Sequence, residues 1–94
     1  MILTLPSYER AYNRLTEDQK ERVQASISVL EEAFGDPHSH AGIGIRRFQK
    51  FFEARAGLGL RILFVSRGAN IILTTVGNHD EIRAFVKNNP KPKA

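Results

Sequence analysis

Apolar residues follow two rhythms along this chain. Early on they recur at helical spacing: Val23, Ile27, Leu30 and Phe34 stand four, three and four residues apart, which makes one apolar stripe on a helix. Later they form near-continuous runs. Residues 59–65 and 71–77 read as two long strands, because Ile, Leu, Val, Phe and Thr suit a pleated, half-buried surface. Ser66-Arg67-Gly68-Ala69-Asn70 supplies turn chemistry between them. Arg61 interrupts the first run and His79 follows the second. Pairing through that turn brings both toward the same end of a hairpin.

The remaining pattern fits around this hairpin. Residues 1–5 form a short apolar run ended by Pro6, a first strand. Ser7 can cap a short helix over 8–15. Thr16-Glu17-Asp18-Gln19 matches a capping box for a second helix, with acidic residues suited to its N-terminal dipole. Gly35-Asp36-Pro37 ends that helix in the Gly-then-Pro order. After a loop over 38–44, residues 43–48 can start a strand. Phe51-Phe52-Glu53-Ala54-Arg55 is a better one, with Glu53 and Arg55 facing away from Phe52 and Ala54. Successive strands with short turns predict an antiparallel meander. Asn78 can cap a last helix over 79–87, with Ile82, Phe85 and Val86 as its apolar contacts. The expected class is α+β: a helical hairpin packed on one face of a twisted antiparallel sheet, in the order β-α-α-β-β-β-β-α. The other face is expected to stay partly open and to carry cationic residues.

Composition narrows the possibilities. Ninety-four residues make one domain, over 1–87, followed by a flexible, Pro-broken basic tail over 88–94. The absence of cysteine excludes disulfides and thiolate metal sites. No apolar run approaches the ~20 residues of a membrane span, and residues 1–6 lack the basic region of a signal peptide, so no membrane partner and a cytoplasmic location are expected. The net charge of +4 favours a polyanionic or acidic partner. Acidic residues crowd the first part, from Glu17 to Asp36, whereas Arg46, Arg47, Lys50, Arg55, Arg61 and Arg67 travel with the strands. Arg46, Arg47 and Lys50 stand among Phe48, Phe51 and Phe52, a mixture that suits RNA by phosphate contact and stacking. His38-Ser39-His40 has the spacing of a zinc chelate but brings no further ligand at motif spacing, and neither a metal nor another cofactor is expected.

Two stretches carry a family likeness: Phe52-Glu53-Ala54-Arg55 leading into Leu60-Arg61-Ile62-Leu63-Phe64, and Val76-Gly77-Asn78-His79-Asp80-Glu81-Ile82. With the order of elements, they resemble the RelE/ParE superfamily of toxins from type II toxin–antitoxin systems, over residues 5–87. The resemblance implies a toxin held by a cognate antitoxin in a hetero-oligomer. In the RelE-like branch it implies an endoribonuclease, an mRNA interferase cutting messages on the ribosome. In the ParE-like branch it implies inhibition of DNA gyrase without RNA cleavage. Arg61 matches the strand arginine that neutralises the scissile phosphate. His79 matches the basic or imidazole position after Val-Gly-x. RelE itself has two lysines on the preceding strand, where this chain has Phe52 and Ala54, and a Tyr in the last helix, where this chain offers Arg83 and Phe85.

Cleavage by 2′-OH attack needs a base, charge stabilisation at phosphorus and an acid for the 5′ oxygen. Arg61 suits the second role, since its fork matches phosphate oxygens. His79 suits the first or third, because an imidazole gives or takes a proton near neutral pH. Arg46, Arg47, Lys50 and Arg55 are the expected substrate-binding residues, and Glu53 and Asp80 the candidate bases. Each also has a plain structural role available. Arg61 can pair with Glu53 across the sheet, and Asp80 sits where helix starts favour carboxylates.

Overall fold

The central hairpin forms as its pattern predicts. In the computed structural model, which describes residues 1–33, 44–57 and 59–92, β4 (Arg61–Arg67) and β5 (Asn70–Gly77) are antiparallel neighbours. Only Gly68 and Ala69 separate them, and Gly68 takes the left-handed φ of +59° that such a short loop demands. On one side β4 pairs with β3 (Phe51–Arg55), which pairs with β2 (Arg46–Phe48). On the other side β5 pairs with β1 (Ile2–Thr4), giving the order β1-β5-β4-β3-β2. The last four strands are the predicted antiparallel meander. β1 joins parallel to β5, so the sheet is mixed: the chain leaves β1 through two helices and returns to it only by its last strand.

Alternation along the strands separates two apolar layers. Ile62 and Phe64 of β4, with Ala54, Leu73 and Val76, face α1 (Pro6–Asn13) and α2 (Glu17–Ala33), and meet Tyr8, Val23 and Leu30 there. Leu63 and Val65, with Phe51 and Ile72, face the last helix, α3 (His79–Asn88), and meet Ile82 and Val86. The second face is therefore not simply open. α3 covers its apolar part, and it turns polar where β3 ends and β4 begins, at Glu53, Arg55 and Arg61. Val23 and Leu30 of the predicted helical stripe are fully buried and Ile27 packs beside them; Phe34 and the Gly35-Asp36-Pro37 stop lie outside the described residues.

The helix starts divide between agreement and correction. Thr16 and Gln19 exchange the two bonds of the predicted capping box, 2.9 and 3.2 Å. Ser7 does not cap α1. Leu5 holds the cap position without a side-chain bond, and Pro6 opens the helix, since its missing N–H is no loss there. Ser7 Oγ donates instead to the carbonyl of Thr74 at 2.6 Å. Thr74 is the extra residue in β5, because Leu63 pairs with Thr75 while Phe64 pairs with Leu73. The serine thus satisfies a carbonyl that the bulge takes out of the ladder. Among the described residues no helix is long and apolar enough to cross a membrane.

Candidate functional site

A two-residue turn, Gln49-Lys50, sets the register of the β2–β3 hairpin and places Arg46 opposite Glu53. The next register places Arg55 opposite Arg61. Strand alternation then puts Arg46, Glu53, Arg55 and Arg61 on one face, the α3 face. Glu53 is 1% exposed and accepts on one oxygen, Oε1, from Arg46 Nε at 2.6 Å and Arg61 Nη1 at 3.4 Å. Glu53 Oε2 and Arg61 Nε are buried without a partner among the described residues. Two arginines facing each other across a ladder repel. The carboxylate beneath offsets part of that repulsion and leaves the group cationic, three guanidiniums to one carboxylate.

A glycine makes room for this arrangement. A Cβ on Gly44 would lie 2.9 Å from Arg55 Nε, so the bare backbone lets Arg55 lie against it. The φ of +69° at Gly44 suits glycine for a second reason.

Gly77 is directly across from Arg61, and α3 starts two residues later with His79. The hairpin thus carries Arg61 and the start of α3 at the same end, as its turn predicts. The helix start is pinned by a complete capping box. Asn78 Oδ1 accepts from Glu81 N, and Asn78 N donates to Glu81 Oε1, both at 2.8 Å. His79 and Asp80 occupy the first turn, both exposed and without a hydrogen-bond or ion-pair partner among the described residues. Of the two candidate bases, Glu53 is buried under arginines and Asp80 is free at the surface.

The four expected substrate-binding residues separate into two pairs. Arg46 and Arg55 share the face of Arg61. Arg47 points to the opposite face, its guanidinium 5.3 Å from the centre of the Phe52 ring, and Lys50 sits in the turn at the far end of the sheet. His38 and His40 lie outside the described residues, and no cluster of three metal-ligating side chains occurs among those described. The Arg61–Glu53 pair is legible from the strand pattern, whereas the shorter Arg46–Glu53 bond was not expected. The signal was present in the two-residue spacing of Gln49-Lys50, which fixes Arg46 opposite Glu53.

The order and packing of these elements are matched among solved structures of RelE, YafQ and YoeB chains. No protein-family model and no curated protein matches the sequence, so the likeness is one of structure. YafQ from E. coli strain BL21(DE3) superposes with a TM-score of 0.69 at 9% identity, covering 87% of this chain and 96% of that one. A chain of the RelB–RelE antitoxin–toxin complex from Methanococcus jannaschii gives 0.64 at 15% identity, covering 88% and 96%. A chain of the YoeB–YefM complex from Staphylococcus aureus gives 0.63 at 11%, covering 84% and 95%. The chain has the RelE-like α+β fold over nearly the whole length of these proteins.

Proposed function

We propose that this chain is the toxin of a type II toxin–antitoxin pair, an endoribonuclease that cuts mRNA in the cytoplasm with the help of the ribosome. The observation that carries this reading is the placing of Arg46, Arg55 and Arg61 on one face, Arg46 and Arg61 on the buried carboxylate of Glu53 and Arg55 opposite Arg61, at the hairpin end from which His79 starts. In this reading Arg61 and Arg55 hold the non-bridging oxygens of the scissile phosphate. The 2′ oxygen attacks phosphorus, Asp80 takes its proton, the P–O5′ bond breaks and His79 protonates the leaving 5′ oxygen. The products are a 2′,3′-cyclic phosphate and a 5′-hydroxyl. The open face holds RNA weakly by itself, so the ribosome supplies the positioning. The antitoxin is an acidic or amphipathic segment laid across the arginines. That structurally similar chains come from antitoxin–toxin complexes supports such a partner.

Inducing the chain and following protein and DNA synthesis separately by pulse labelling tests the reading. Early loss of protein synthesis is expected, with cuts on translated messages. Arg61→Ala or His79→Ala should each lower cleavage about 100-fold or more while the protein stays folded. Full toxicity of the soluble double variant would remove both residues from the site. A gyrase-binding toxin is the second reading. One observation favours it: Arg61 is already engaged by Glu53, as a purely structural arginine would be. Early loss of replication, with protein synthesis spared, would select it.

A further inference from the structure

A second cationic groove lies at the far end of the sheet. β3 pairs with β4 only as far as Phe64, and Val65, Ser66 and Arg67 run on past it. The space beside them is about 420 Å³ and is lined by Arg47, Lys50, Phe52, Val65, Ser66, Arg67 and Pro92. Three cations line it and, among the described residues, no carboxylate does. None of the three has a carboxylate partner among those residues either, in contrast to Arg46 and Arg61.

The groove is organised rather than merely charged. Arg47 lies over the Phe52 ring, which stacks on Phe64 at 5.6 Å, and its Nε donates to the carbonyl of Gln49 at 2.8 Å. Ring and carbonyl together fix the plane of the guanidinium. Gln49 reaches that position at φ +55°, in a two-residue turn where glycine would be at ease. A side-chain-bearing residue there costs about 1 kcal/mol or more. That strain is stored beside the groove.

We infer that this groove binds the phosphate backbone of single-stranded RNA, as a second contact on the strand engaged by the arginine cluster. The inference rests on the proposed RNA-directed function only for the choice of ligand. A planar guanidinium on an aromatic ring beside two flexible cations suits a phosphodiester flanked by a base face. Arg67 shares the face of Arg61 by alternation and stands about 20 Å from it, six residues along β4, while Arg47 and Phe52 line the groove from the opposite face, so a bound strand passes the sheet edge beside Val65 and Ser66. A strand several nucleotides long spans that distance and a dinucleotide does not.

The test is binding of 2′-O-methyl RNA, which cannot be cut by 2′-OH attack, using oligomers of about 4 and about 12 nucleotides. The long oligomer should bind wild type at least about tenfold tighter at low salt. Arg47→Ala/Lys50→Ala/Arg67→Ala should erase that advantage. Each phosphate contact contributes about 0.7 to the salt slope, so the slope should fall by about 2. Arg67→Ala alone, at an exposed position without a described partner, should lower it by about 0.7 even if the triple variant folds poorly. Unchanged affinity and slope in these variants would overturn the inference. So would loss of binding to an acidic peptide such as polyglutamate with RNA binding intact, which would assign the groove to an acidic protein segment. Because cleavage is not read, a protein that never cuts RNA still passes or fails on the slope.

Discussion

Tyr8 is 3% exposed on the buried side of α1, stacked on Tyr12 with ring centres 5.8 Å apart. Its hydroxyl has no partner among the described residues. Burial pushes its phenol far above the ordinary tyrosine range, and the neighbouring Tyr12 and Glu9 push it further in the same direction. The folded state therefore keeps a proton that the unfolded chain gives up above about pH 10. The stability that Tyr8 contributes is complete below that pH and falls as pH rises from there toward the folded-state value. Tyr8→Phe should flatten this alkaline loss, and at pH 7 it should be neutral or stabilising by up to about 1 kcal/mol, since a lone buried hydroxyl is costly. Thermal melts at pH 7 and pH 11 check it. A melting temperature several degrees lower at pH 7 would show that the hydroxyl has a bound partner in solution. Glu53 carries a related lesson. Its type and strand were plain from the sequence, but its role as the shared anchor of Arg46 and Arg61 depends on two hairpin registers meeting at one side chain.

Among the elements, α3 shows most directly how a short motif becomes geometry. Asn78 was legible as a cap; the return bond from Glu81 completes a box that fixes where His79 and Asp80 stand. The glycine of the Val-Gly pair has a steric reason. A Cβ on Gly77 would lie 2.8 Å from Glu81 Oε1, so a methyl there would push the capping carboxylate aside. Asn78→Ala should cost about 1 kcal/mol and speed hydrogen exchange at the first-turn amides of α3. Gly77→Ala should act in the same direction by displacing Glu81. Unchanged exchange in both variants would show that packing of Ile82 and Val86 alone holds the helix start.

At the scale of the whole molecule, β1 closes one side of the sheet with three residues. Ile2, Leu3 and Thr4 pair with Ile71, Ile72 and Leu73, and Leu5 N donates to Leu73 O at 3.0 Å. Removing residues 1–4 bares that stretch of β5, an apolar strand edge open to pairing with another chain. The truncated protein should melt several degrees lower and self-associate, which size-exclusion chromatography at increasing concentration reads directly. A monomer with unchanged melting would show that α1, tied to β5 through Ser7, is cover enough.

Local chemistry determined much by itself. Helical-period and near-continuous apolar patterns defined the second helix and the central hairpin, and Thr16 and Asn78 marked helix starts, because spacing and capping act within a few residues. The bounds of β3 and the shared end of Arg61 and His79 followed from short turns. Tertiary structure decided the rest. The parallel pairing of β1 joins residues almost seventy positions apart, the bulge at Thr74 redirects Ser7 from a cap to a bridge, and Arg46 and Arg47 part to opposite faces despite being neighbours. Strand alternation sends adjacent residues to different sides of a sheet. A basic run in the sequence therefore becomes two cationic clusters in space, one around Glu53 and one beside Phe52.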